Sequence, residues 1–264
     1  MDILLFLVLF SLGLVGSFFS GLLGIGGAII NYPLLLFVPD WLGVARFPTQ
    51  EVASISMFQV FFSSFAGVLA FRKKSGKNTS LIHKGLVKDM GGSILVASLL
   101  GGFISKYMSS EGINLIYGVL AVVAVFLMLL KNKGTEENAE EIAYNRMIAI
   151  LAAFAVGLVS GIVGAGGAFI LIPIMLTVLK IPTRVTIASS LAIVFISAIG
   201  GVLGKLTAGH IPLMPTVFTV LGSILGAPIG SLLSARINVK WLRYGLIALI
   251  SLTAVKIWAD LLQV

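Results

Sequence analysis

The sequence predicts an all-α polytopic membrane protein of two inverted-topology repeats, each a Gly-broken helix hairpin followed by three transmembrane helices. Three observations lead there. Of 264 residues 58% are hydrophobic and 11% charged, with a mean hydropathy of +1.11, far more apolar than a soluble domain. A Gly-rich stretch occurs twice inside long apolar runs. Finally, Lys and Arg divide unevenly between the two ends of the spans.

Apolar stretches long enough to cross a hydrocarbon core of about 30 Å as helices fall at 52–71, 85–105, 112–130, 185–204, 211–235 and 241–259. Two longer ones, 3–38 and 147–179, carry the Gly-rich motif. Ser20–Pro33 reads SGLLGIGGAIINYP and Ser160–Pro173 reads SGIVGAGGAFILIP, a constant offset of 140 residues (160 − 20) with Ser, four Gly, Ala, Ile and Pro in common. The likeness continues at an offset of 134 (181 − 47), where Phe47–Leu69 aligns without gaps on Ile181–Leu203 and shares Pro48/Pro182, Thr49/Thr183, Ser56/Ser190, Phe61/Phe195, Ser63/Ser197 and Gly67/Gly201. Gly92–Leu95 matches Gly222–Leu225. The chain is read as a tandem duplication: a membrane repeat at 1–130, a polar cytoplasmic linker at 131–145 (KNKGTEENAEEIAYN) and a second repeat at 146–264. The run from residue 3 follows Met1-Asp2 without a basic n-region and leads into the repeated motif, so it reads as a membrane helix and not as a cleaved signal peptide.

The positive-inside rule decides how the repeats lie. If each Gly-bearing stretch crosses once, 7 Lys/Arg lie outside and 10 inside; if each turns back at its motif, only Arg46, Lys106 and Lys205 lie outside against 14 inside, with Lys256 uncounted. The second arrangement leaves each half an odd number of full spans plus a hairpin, and so inverts the halves, with Met1 outside and the linker inside. The arms flanking Gly21–Gly27 and Gly161–Gly167 are then about 11–19 residues, short of a roughly 20-residue span, and are expected to meet within the membrane.

Composition excludes several classes. With no Cys there are no disulfides, thiolate metal sites or thiol relays. The net charge of +8 comes from residues at helix ends, where membrane orientation explains it and nucleic acid need not. Two His beside predicted loops, no H-E-x-x-H, no paired Asp within a span and no P-loop leave an enzyme without residues, and imply neither metal nor cofactor.

The candidate site follows from the motif. Irregular backbone at membrane depth needs protein or a water-filled cavity around it, and Gly24, Gly26, Gly27, Gly164, Gly166 and Gly167 permit a tight turn and close approach. The arm after Gly27 or Gly167 would begin a helix whose free N–H groups and positive dipole end favour an anion. Pro33 and Pro173 close the motif as structural residues. The competing reading is that these glycines only pack helices together. Hydroxyl and amide donors on two repeat-related helices, Ser54, Ser56, Gln59, Thr186, Ser189 and Ser190, would complete the site, unless they bond their own i−4 carbonyls. Asn31 stands where the second half has Leu171, an asymmetry bearing on selectivity. Glu51 is a candidate proton carrier or simply a solvated carboxylate at a helix start. Lys205 and His210 flank an outer turn where they could concentrate anions, and Asp89 is expected to pair with Lys88 or Lys84.

The duplicated G-x-G-G with its distal Pro resembles the sulfite exporter TauE/SafE family over nearly the whole chain. Ala188-Ser189-Ser190-Leu191 is similar to that family's usual Ala-Thr-Ser-Leu, while Ala53-Ser54-Ile55-Ser56 in the first half departs from it. The resemblance implies a permease for small organosulfur compounds or sulfur oxyanions such as sulfite or a sulfonate, generally an exporter. An anion channel and an uptake permease are the alternatives. Expected partners are a small anionic substrate, the lipid bilayer and a coupling proton or cation; both monomer and homo-oligomer stay open.

The charge count generates a labelling prediction. In this cysteine-free chain, a cysteine placed at Ala45 is modified by an impermeant reagent applied outside, and one placed at Lys77 is not.

Overall fold

The computed structural model describes residues 3–23, 28–74, 82–129 and 144–234, with positions 244, 248, 251, 252, 254, 255, 258 and 259. The described residues are helical and contain no strand. In order, the helices are α1 (Ile3–Leu23), α2 (Ala28–Trp41), α3 (Thr49–Lys74), α4 (Lys84–Ile104) with a 3-10 turn at Ser105–Tyr107, α5 (Ser110–Leu129), α6 (Arg146–Val163), α7 (Ala168–Thr177), α8 (Thr183–Ala208) and α9 (Leu213–Ser234). Six of them (α1, α3, α4, α6, α8 and α9) are long and apolar enough to cross a membrane, as a multi-pass membrane protein requires.

Local chemistry sets the boundaries. His83 Nδ1 accepts from the Leu86 N–H at 3.1 Å to start α4. Asn145 Oδ1 caps α6 by accepting from Met147 and Ile148. Glycines in the left-handed region end α6 at Gly164 (φ 79°) and α8 at Gly209 (φ 81°), where a Cβ would be strained.

One expectation changes. The arms before the motifs are not short: α1 has 21 residues and α6 has 18, about 32 and 27 Å at 1.5 Å per residue. Only the returning arms fall short, α2 with 14 residues and α7 with 10, roughly 21 and 15 Å. Pro33 and Pro173 lie inside α2 and α7, at the sixth position of each, where the missing N–H frees one carbonyl of the preceding turn.

The helices of the two halves interleave. α1 packs chiefly on α9, α6 on α4, α4 also on α8, and α3 on both α8 and α9. Relative direction follows from which residues meet. A Cβ on Gly222, Gly226 or Gly230 would overlap the carbonyls of Phe10, Leu14 and Phe18 respectively, so α1 and α9 run in the same sense. Likewise Gly157 meets Ile94 and Gly161 meets Ser98, so α6 runs with α4, and Gly200 and Gly204 meet Leu95 and Leu99, so α8 does too. α3 and α8 run oppositely, since Gly201 meets Met57 and Gly67 meets Leu191. Loops 42–48, 105–109 and 209–212 therefore share one end of the bundle. There Gln50 Nε2 donates to the Met108 carbonyl and Ser110 Oγ donates to Gln50 Oε1. At the other end the Arg146 guanidinium bonds Asp89 at 2.7 Å.

These contacts set backbone against backbone. Gly226→Leu is expected to overpack α1 against α9, costing about 1–3 kcal/mol and lowering the melting temperature in detergent. Gly92→Leu, where a Cβ meets nothing within 4 Å, should leave it unchanged.

Candidate functional site

The site is organised by the crossing of α3 and α8. The Phe61 and Phe195 rings stack there with centroids 5.4 Å apart, a pair worth about 0.5–1.5 kcal/mol beyond its burial. They are repeat mates (195 − 61 = 134), so the crossing joins equivalent points of the two halves. The contacts Gly67–Leu191 and Gly201–Met57 are likewise exchanged by the same offset. Into this crossing comes the turn between α6 and α7. A Cβ on Gly166 would meet Val60 and Val194, again repeat mates, and one on Gly164 would overlap the backbone of Ala53. Gly164, Gly166 and Gly167 have φ of 79°, 63° and 79°, which only glycine adopts freely.

Hydrogen bonding in this turn is lopsided. The amides of Gly164 and Ala165 both donate to the Ser160 carbonyl, at 2.8 and 2.9 Å, and Ile170 and Leu171 donate to Gly167. No acceptor faces the amides of Gly166, Gly167 or Ala168 among the described residues, and no side chain caps α7. Three free donors at a helix start, inside protein and beside a symmetry-related crossing, can hold an anion. The equivalent Gly24, Gly26 and Gly27 lie outside the described residues.

The polar side chains divide into two groups. Ser54 donates to the Gln50 carbonyl at 2.9 Å, Ser190 to Ile187 at 3.0 Å and Thr186 to Ile181 at 3.3 Å. Ser189 accepts from the His83 N–H at 2.9 Å, tying α8 to the start of α4. All four are engaged by other protein groups in this conformation. By contrast the Ser56 hydroxyl, the Gln59 Oε1 and both ends of the Asn31 amide are buried without a partner. Ser56 lies on α3 between Ala53 and Val60, the two residues touched by the Gly164–Gly166 turn. Gln59 Nε2 donates to the Gly13 carbonyl at 3.3 Å and to Ser17 Oγ at 3.2 Å. Asn31 lies against Gly16. Sequence reading missed Ser17 as a partner of Gln59, and missed Ser20, Ser98, Ser197 and Ser231, whose hydroxyls are also buried and unpartnered. Two of them carried a signal: Ser20 recurs as Ser160 at the head of the motif, and Ser197 is the repeat mate of Ser63.

Lys205 contradicts the steering role. It is 1% exposed, its ammonium donating to Ser105 Oγ at 2.8 Å and to the Ile162 carbonyl at 2.9 Å. It is not a surface charge: Ile162 belongs to the last turn of α6, where free carbonyls and the dipole attract a cation. No carboxylate pairs with it among the described residues. His210 is exposed in the turn that follows α8, and Glu51 sits in the first turn of α3 at the same end of the bundle. Asp89 pairs with Arg146 and accepts from the Tyr144 hydroxyl at 3.0 Å, in place of the expected Lys84 or Lys88, because α6 runs beside α4. Burial and that carboxylate push the Tyr144 phenol up to about 12, keeping it a neutral donor. The described residues hold no group of three or more His, Cys, Asp or Glu able to bind a metal.

The family model described as sulfite exporter TauE/SafE matches residues 9–257. A probable membrane transporter protein of Bacillus subtilis, YunE, is 25% identical over 89% of this chain and 90% of its own length. One from Methanocaldococcus jannaschii is 28% identical over 90% of this chain and 86% of its own. Another from Xylella fastidiosa is 31% identical over 86% and 83%. No solved structure matches.

The buried ammonium can be tested by volume against charge. Lys205→Met should keep the melting temperature within a few degrees, since filling the space offsets a desolvated charge. Lys205→Ala should lose about 2–5 kcal/mol through the cavity, read by thermal melting in detergent.

Proposed function

Because the chain belongs to the sulfite exporter TauE/SafE family of membrane transporters, we propose that it is a secondary transporter, not an enzyme, for a small sulfur-containing oxyanion such as sulfite or a sulfonate. The observation carrying this is the Gly164–Gly167 turn, with the unpaired amides of Gly166, Gly167 and Ala168 at the α3/α8 crossing. Backbone N–H groups bind an oxyanion without a fixed positive charge, so the ligand can leave again. The nearby Ser56 hydroxyl adds one neutral donor. Ser54, Thr186, Ser189 and Ser190 would join only if their present bonds exchange during the cycle. Gly24, Gly26 and Gly27 supply the matching turn of the first half in this reading.

The repeats are taken to be inverted and to alternate access around the crossing. The opposite sense of the repeat mates α3 and α8 supports this, as does the interleaving that pairs α1 with α9 and α6 with α4. Export is the direction in the family's description. Glu51 and His210, at the outer end, remain candidates for proton coupling and anion capture.

Counterflow in proteoliposomes with sulfite, sulfonates, thiosulfate and sulfate tests the reading. Exchange of at least one sulfur oxyanion, saturable and without unitary conductance, is expected; silence across the panel, or channel-like currents, would reject it. Ser56→Ala should weaken the transported anion by about 0.5–1.5 kcal/mol, a few-fold to tenfold in affinity. Ser54→Ala, whose hydroxyl is already used, should change it less.

A further inference from the structure

The polar cluster around α1 asks for a different ligand from the Gly turn. Gln59 Nε2 is committed to Gly13 and Ser17, and a carbonyl oxygen such as that of Gly13 can only accept. The amide orientation is thereby fixed, and Oε1 is left as a bare acceptor, fully buried. On the same face of α1, Asn31 lies against Gly16 with both amide ends unpartnered, and the Ser20 hydroxyl, one turn beyond, is unpartnered too. All are at most 1% exposed. The buried carboxamide oxygens, Gln59 Oε1 and Asn31 Oδ1, are costly to leave orphaned, and a fully ionised oxyanion cannot satisfy them because it brings only acceptors of its own. A cation can.

The charge type follows from the ligands. Carboxamide and hydroxyl oxygens without a carboxylate suit a monovalent ion; calcium and magnesium sites rely on Asp or Glu, and no acidic cluster exists among the described residues.

The second half lacks the cluster. At the repeat positions, Asn31 becomes Leu171 (31 + 140), Gln59 becomes Ile193 (59 + 134), Gly16 becomes Val156 and Ser17 becomes Gly157. Ser160, the mate of Ser20, bonds the Gly157 carbonyl in its own helix. The duplication kept the glycine motif and confined these carboxamides to one side.

We propose that Asn31, Gln59, Ser17 and Ser20 form a single alkali-cation site between α1, α2 and α3. Its ion travels with the anion, the companion being assigned on the transporter reading above. Ser56 stands one turn from Gln59, roughly 4.5 Å along α3, and both lie between Ala53 and Val60, the residues that the Gly164–Gly166 turn touches, so the two ligands of opposite charge lie close together. One ion per chain is bound, because the second half offers no counterpart.

The test is thermal melting of the full chain in detergent, with lithium, sodium or potassium chloride titrated against N-methylglucamine chloride at constant ionic strength. At least one alkali cation should raise the melting temperature saturably with a Hill coefficient near one. Asn31→Leu and Gln59→Ile, the residues already carried at the second-half positions, should abolish the response. Ser98→Ala, which removes an unpartnered hydroxyl elsewhere, should keep it. Identical wild-type melts in all four salts would mean that water alone fills the cluster and would overturn the proposal, even if neither variant folds. So would a response that survives both substitutions. Anion counterflow that proceeds equally in every salt, with no melting response, would reject the cation site and leave the transporter standing. A cation response with no anion counterflow would do the reverse.

Discussion

Everything in this bundle depends on how closely helix backbones can approach. In lipid, helices gain little hydrophobic energy from one another, so packing and polar contact must hold them. The chain meets that constraint by placing small residues where helices cross. Along α9, Gly222, Gly226 and Gly230 put the α1 carbonyls of Phe10, Leu14 and Phe18 where side chains would otherwise stand. The same arrangement joins α6 to α4 through Gly157 and Gly161, and α8 to α4 through Gly200 and Gly204. At such distances dispersion and Cα–H···O contacts act over the whole helix length. Lys205 belongs to this scheme as well, since its ammonium ties the end of α6 to Ser105 beyond α4.

The two halves share a plan and divide the chemistry. Their common features are steric: at the α3/α8 crossing the Phe61–Phe195 stack and the Gly67–Leu191 and Gly201–Met57 contacts obey one offset. Their differences are polar. Asn31, Gln59 and Ser17 face apolar or smaller counterparts in the other half, and Lys205 stands where the first half has Phe71 (205 − 134).

Much of the architecture was legible in the residues. Hydropathy located the six helices long enough to span, while the stretch 241–259 lies mostly outside the described residues; the repeat located the turn at Gly164–Gly167 and marked Phe61 and Phe195 as mates without bringing them together, because helix length and identity at constant offset are properties of the one-dimensional chain. Hydrogen-bond partners were not legible. Ser54, Ser56, Ser189 and Ser190 look alike as serines in apolar helices, yet only Ser56 is unpartnered in the structure. Lys205 lies four residues before a Gly-capped helix end, a place that reads as interfacial. Its burial arises from α4 and α6, distant in sequence. Pro33 and Pro173 sit inside α2 and α7, where neighbouring helices can re-satisfy the carbonyl that a proline frees.

Interleaving also bears on how the protein is made. The face of α1 that rests on α9 is synthesised 206 residues before its partner (219 − 13, from the Gly13–Thr219 contact), roughly 10–40 s at ordinary elongation rates. During that interval Gly13, Ser17 and Gly21 present a small, polar stripe with no mate from α9. α4 waits for α6 in the same way. Neither half can complete its packing during translation by itself, so the nascent chain depends on whatever shelters unfinished helices at the membrane until the second copy arrives.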